Sequence, residues 1–252
     1  MIVAEHVVKS LGRSLILDDI SVTVPRGGLT AIIGPNGAGK STLLSVISRL
    51  VGVEGGRVTV DGMDVSRTPG DRLARHLSIL RQDNHMTARL TVRDLVSFGR
   101  YPHGKGRLCD GDRGHIARAL GYMQLEDLAD RFLDELSGGQ RQRAFVAMIL
   151  CQDTDYVLLD EPLNNLDMRH ARAMMQLLHC MCRELGKTVV MVLHDINFAS
   201  WYSDHIIALK DGRVCLHGGV ETIMTTEALR QVYDMEIKVT EIQGRRTAIY
   251  YG

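Results

Sequence analysis

The stretch GPNGAGKST, residues 34 to 42, places Gly34, Gly37, Gly39, Lys40 and Ser41 at the spacing G-x-x-x-x-G-K-[ST]. Glycines there let backbone N–H groups turn inward around β- and γ-phosphates, Lys40 adds a mobile cation, and the Ser41 hydroxyl can ligate magnesium. Far downstream, YVLLDEP (156 to 162) is an apolar run ending in two carboxylates. Asp160 is placed to hold magnesium through water, and Glu161 to polarise a water for in-line attack on a γ-phosphate. His194 closes TVVMVLHD and can hydrogen-bond the γ-phosphate or the attacking water. Gln82 closes LSILRQ and can reach the metal or its water. Taken singly, His194 and Gln82 are as readily structural; with the loop and the carboxylates they point to hydrolysis of a nucleoside triphosphate.

A second phosphate-like stretch, LSGGQRQR, occupies residues 136 to 143. Ser137 and Gln140 have the spacing of a helix capping box, so SGGQ reads as a helix start. Gly138 and Gly139 in its first turn cost up to about 1 kcal/mol each relative to alanine unless bare backbone is wanted there. A helix N-terminus without Cβ atoms is a surface for close approach to an anion, so the cap and the phosphate readings hold together.

The elements that must position these groups follow from periodicity. Residues 1 to 33 alternate as strands, with turns at Pro25 and Gly27-Gly28, and LTAII runs into the glycine loop. A helix is expected from Lys40 to about Leu50, then short strands in EGGRVTVDGMDV. The texture is helical from 85 to about 135, opening with Thr91 and Asp94 at capping-box spacing. Strand-like runs return at 156–160, 188–195 and 205–218, the last folding at Asp211-Gly212. The expected fold is α/β and doubly wound, with a small antiparallel β-subdomain and an inserted helical subdomain. Its expected parts are a nucleotide-binding core with the β-subdomain (1–84 and 146–218), a helical subdomain (85–145), and a tail of one helix and a hairpin around Gly244 (219–252).

Composition limits the partners. The 252 residues are 45% hydrophobic with 30 basic and 30 acidic side chains, so no broad electrostatic pull toward nucleic acid is expected. The 5 cysteines are irregularly spaced and read as reduced thiols, without a disulfide framework or zinc site. No charged-then-apolar leader opens the chain, and FVAMILC (145 to 151), the longest apolar run, is far short of the roughly 20 residues of a membrane-spanning helix. Service to a membrane is therefore expected through a partner.

The loop at 34–42, Gln82, LSGGQ, VLLDE, NNLD (164 to 167) and His194 occur in an order and spacing that resembles the ATP-binding-cassette (ABC) ATPases over essentially the whole chain. The resemblance implies a P-loop, RecA-like core and a head-to-tail dimer in which the LSGGQ of one subunit covers the ATP held by the other. It assigns ATP and Mg2+ to the loop Gly34, Pro35, Asn36, Gly37, Ala38, Gly39, Lys40, Ser41 and Thr42. By the same resemblance Gln82 couples the site to a membrane permease and Asp160 holds the metal with Ser41. Glu161, His194 and Gln82 are then catalytic, Ser137, Gly138, Gly139 and Gln140 serve the partner's γ-phosphate, and Asp167 crosses the dimer interface. Asn164 and Asn165 stand where small residues are commoner, and Leu11 where many relatives carry an adenine-stacking aromatic. LTVRDLVSFGRYP, SGGQRQRAFVAM and LHDINFAS look similar to subunits that power importers of iron–siderophore complexes, haem and cobalamin, nearest the siderophore branch. That implies a peripheral protein at the cytoplasmic face of the membrane, working on permease subunits and indirectly with a substrate-binding protein. A subunit of another metal-chelate importer or of an exporter carries the same motifs.

Overall fold

The computed structural model describes residues 1–82, 86 and 88–251. The expected boundary at 84/85 lies outside the described residues. Strands β1 (Ile2–Leu11), β2 (Ser14–Val24), β3 (Gly28–Ile33), β4 (Gly55–Val60), β5 (Met63–Asp64), β6 (Leu77–Leu80), β7 (Tyr156–Asp160), β8 (Thr188–Val192), β9 (His205–Lys210), β10 (Arg213–Gly219), β11 (Lys238–Ile242) and β12 (Arg245–Ile249) are distributed over three sheets among these residues. The central sheet runs β10-β9-β3-β8-β7-β6, parallel throughout except for the β9–β10 hairpin that turns at Asp211-Gly212.

Continuous apolar runs make these strands because both faces of the sheet are covered. Successive side chains divide between two cores. Ala31, Ile33, Val157, Leu159, Val189 and Met191 face the first, with the helices Gly138–Cys151 and Met168–Leu185. Ile32, Leu158, Val190 and Val192 face the second, with the helix Lys40–Ile47 and the small sheet β2-β1-β4-β5. The architecture is the expected α/β one.

The first core extends without a break into a helical lobe, where Val92, Leu95, Ile116, Leu120 and Phe145 are buried. Thr91 caps the helix Val92–Ser97 in a capping box with Asp94. The lobe is tied together by a buried ion pair: Arg100 Nε donates to Asp112 Oδ1 at 2.7 Å, and Arg100 also donates to the carbonyl of Cys151 at 3.0 Å.

The tail contains two short helices, Val220–Ile223 and Thr226–Tyr233, where the sequence suggests one. Thr225 accepts from Ala228 N at 3.1 Å and so starts a new helix instead of continuing the first. The β11–β12 hairpin is fastened to the helix Ile196–Tyr202. The Asn197 amide accepts from Ala248 N at 2.7 Å and donates to its carbonyl at 3.2 Å, and Ser200 Oγ donates to Arg246 O at 2.6 Å.

Candidate functional site

Strand order explains why residues distant in sequence meet. β3, β8, β7 and β6 are consecutive neighbours, so their C-terminal ends deliver the 34–42 loop, His194, Asp160 with Glu161, and Gln82 along one edge. Ligands of open α/β sheets gather at such an edge. Leu11, Ile16, Asn36, Gly37, Gly39, Lys40, Ser41, Thr42, Glu161 and His194 line a cavity of about 250 Å3 there. Its polar lining comes from the loop and from Glu161 and His194, while Leu11 and Ile16 supply an apolar wall.

The loop needs its glycines for specific reasons. Gly34 has φ 141°, and a Cβ there would lie 2.0 Å from the carbonyl oxygen of Leu209, so only glycine lets the chain leave β3 against β9. Gly39, in left-handed conformation, precedes the helix Lys40–Ile47, whose free N–H groups face the loop. Lys40 Nζ donates to the carbonyls of Gly34 and Pro35 at 2.9 and 2.8 Å, so the lysine holds the loop in shape. Burial pulls its ammonium below the ordinary lysine range, with the charges of Glu161 and Asp160 opposing.

Ser41 Oγ donates to Asp160 Oδ1 at 2.9 Å. Burial raises the Asp160 carboxyl above its usual range; the Ser41 hydrogen bond opposes this and the neighbouring Glu161 charge adds to it. A hydroxyl and a half-buried carboxylate, both hard oxygen donors, beside a second carboxylate fit a magnesium ion. Among the described residues no cluster of three or more His, Cys, Asp or Glu could hold a metal ion by itself.

Glu161 has a left-handed backbone (φ 51°), and its side chain is 9% exposed. Its Oε1 lies 2.6 Å from His194 Nε2; its Oε2 accepts from Gln82 Nε2 at 2.8 Å and from Asn164 Nδ2. Three side chains, two from the ends of β6 and β8 and one from the turn after β7 itself, thus converge on one carboxylate. The sequence pattern placed Glu161, His194 and Gln82 at this edge; it gave no sign of Asn164, whose only cue was its departure from the small residue usual there.

Ser137, Gly138, Gly139 and Gln140 lie apart from this cavity and contribute nothing to its lining. Ser137 Oγ accepts from Gln140 N at 3.3 Å and Gln140 Oε1 accepts from Ser137 N at 3.0 Å, a reciprocal cap that stabilises the helix Gly138–Cys151 by about 1 kcal/mol. Gly138 is exposed and Gly139 is buried against His170: a Cβ on Gly139 would come within 2.8 Å of that ring. His170 in turn donates its backbone N–H to Asp167 Oδ1 at 2.8 Å, and its Nδ1 lies 2.8 Å from the same oxygen. These bonds, the backbone one first, hold the Asp167 carboxyl below its usual range. Asp167 is therefore mechanically joined to the glycine-led helix, a link not visible in the sequence.

A phosphate loop at the end of β3 and a carboxylate pair at the end of β7, two strands of one parallel sheet with β8 between them, define the class: a P-loop nucleoside triphosphatase. Comparison with known proteins narrows it. Residues 17–164 match the family described as ABC transporter. Over its full 252 residues the chain is 51% identical to the whole of the petrobactin import ATP-binding protein YclP of Bacillus subtilis. It is 46% identical to FatE, a petrobactin import ATP-binding protein of Bacillus anthracis (99% of this chain, 100% of the relative), and 38% identical to the ferric enterobactin transport ATP-binding protein FepC of Escherichia coli (94% and 88%). Among solved structures it superposes on cbiO1 of Clostridium perfringens, part of the transporter complex cbiONQ, with a TM-score of 0.80 at 30% identity (90% and 92% covered). It also superposes on the dimeric ATP-binding cassette MJ0796 bound to ADP and Pi, with a TM-score of 0.76 at 30% identity (87% and 99%). The chain belongs to the ABC transporter family and is one of its ATP-binding, ATP-hydrolysing domains.

Proposed function

We propose that this chain is the ATPase subunit of an importer of iron–siderophore complexes, bound to separate permease subunits at the cytoplasmic face of the membrane and supplied by a substrate-binding protein. The observation that carries the ATPase part is the convergence of His194, Gln82 and Asn164 on Glu161 beside the 34–42 loop. The cargo rests on the relatives, whose names specify petrobactin and ferric enterobactin.

The phosphates of ATP lie on the N–H groups of the loop and the helix it opens, with Lys40 turned from its carbonyl partners to the β- and γ-phosphates. Ser41 and Asp160 would hold Mg2+, with Gln82 as a further oxygen donor, and the ion would supply neutralisation of phosphate charge. Glu161 accepts the proton of the attacking water, and His194 steadies the γ-phosphate end of the site. Leu11 and Ile16 give the base an apolar contact.

A second copy of the chain closes the site. Ser137, Gly138, Gly139 and Gln140 of each chain sit on the γ-phosphate held by the other, and Asp167 crosses between them. Closure is favoured by contacts that exist only when a γ-phosphate joins both chains, so ATP shifts an open–closed equilibrium and hydrolysis reverses it. The helical lobe transmits this to the permease through the Gln82 region. The test is co-purification with permease and binding protein in lipid: a ferric siderophore should stimulate ATP hydrolysis, and indifference to all siderophores alongside stimulation by haem or cobalamin would reassign the cargo.

A further inference from the structure

Of the three side chains that converge on Glu161, Asn164, in the turn that follows β7, is the one given no role in the reaction above. Asn164 Nδ2 donates to Oε2 of Glu161. The placement of Asn164 is local: its backbone N–H donates to the carbonyl of Glu161 at 3.2 Å, and Leu166 N donates to Leu163 O at 3.2 Å. Two left-handed residues, Glu161 (φ 51°) and Asn165 (φ 62°), bracket this turn. The amide of residue 164 is thus returned to the side chain of residue 161 by the turn between them, with no help from another element.

The other two contacts of Glu161 are of a different kind. Gln82 reaches it from the end of β6 and His194 from the end of β8, and both have work elsewhere once nucleotide is bound, at the metal and at the γ-phosphate. When they turn to those partners, Asn164 alone remains on the carboxylate. A glutamate with free side-chain torsions is a poor acceptor for a water that must attack along one line, because the rate depends on holding that geometry.

We propose that Asn164 is a positioning residue for hydrolysis: its amide fixes Oε2 of Glu161 and thereby aims Oε1 at the attacking water. The proposal rests on the assignment of Glu161 as the acceptor in the reading above.

Three variants of the full chain test it, each measured for kcat and KM of ATP hydrolysis and for binding of ATP. Asn164→Asp keeps the shape but replaces the donor with a second carboxylate against Glu161, Asn164→Ala removes shape and donor without adding charge, and Asn164→Ser keeps a hydroxyl donor. The expected result is a kcat lowered about 10- to 100-fold in Asn164→Asp and Asn164→Ala, with KM and ATP affinity within about 2-fold of the parent and a substantial part of kcat recovered in Asn164→Ser. Parental kcat in Asn164→Asp or in Asn164→Ala would overturn the proposal, since neither variant keeps the donor. Equal loss of ATP binding and turnover would also overturn it. Glu161→Gln assayed alongside separates the two layers: parental turnover there removes the role of Glu161, whereas parental turnover confined to Asn164→Asp or Asn164→Ala removes only that of Asn164.

Discussion

Nε2 of His194, leaving the end of β8, lies 2.6 Å from Oε1 of Glu161 at the end of β7. Parallel pairing of the two strands, Asp160 opposite Val192, brings together the segments that follow them, and the contact is made one residue past β7 and two past β8. Replacing His194 with alanine should therefore leave ATP binding within about 2-fold of the parent and lower kcat about 100-fold or more, the scale of a lost proton-transfer or phosphate-orienting group. Steady-state hydrolysis with a parallel nucleotide titration checks it.

The two adjacent glycines that open the helix Gly138–Cys151 should respond in opposite ways. By helix propensity, alanine at either would stabilise the chain by up to about 1 kcal/mol. Gly138→Ala has that freedom, since its Cβ would meet nothing nearer than Asn165 O at 3.9 Å. Gly139→Ala would drive a methyl into the His170 ring at 2.8 Å and should lower thermal stability. Melting curves of the two variants decide it.

Ser137→Arg should leave the nucleotide affinity of the single chain unchanged, because no residue of 137–140 lines the cavity over the phosphate loop. On the proposed shared site it should abolish ATP-dependent dimerisation, since the larger side chain would occupy the space assigned there to the partner's γ-phosphate. Size-exclusion chromatography with ATP, in a Glu161→Gln background, reads the outcome.

Stability should depend on acid through the Arg100–Asp112 pair. The backbone N–H of Cys109 and the Arg100 guanidinium hold the Asp112 carboxyl down at about 2, against 3.8 for a free one. A depressed carboxyl contributes stability that is fully present above its unfolded value and is lost as pH falls through the folded one, so this contribution disappears between about pH 4 and pH 2. Asp112→Asn should cost about 3 kcal/mol at neutral pH by leaving Arg100 buried without a counter-charge. The gap in melting temperature between variant and parent should narrow as pH falls through that window.

The loop at 34–42 was legible because each residue type answers a constraint stated by its own spacing, and the ends of β7 and β8 because apolar runs stop at charged groups. What stayed hidden depends on contacts between segments without any shared pattern. Asn164 lies three positions from Glu161, but its return to that carboxylate needs two left-handed residues that a sequence does not announce. The fastening of Ala248 to Asn197 spans 51 residues, and Gly139 against His170 joins two helices whose facing residues only packing reveals. The division of the tail helix turns on Thr225 acting as a cap, one hydroxyl in a stretch otherwise periodic enough for a single helix.

The most direct measurement is the assembly state of the Glu161→Gln chain with and without MgATP, by light scattering, next to its ATP turnover. A monomer that becomes a stable dimer on adding MgATP, with hydrolysis abolished, is the predicted result. A chain that binds MgATP, stays monomeric at every concentration and turns it over at the parental rate would contradict both the shared site and the role of Glu161.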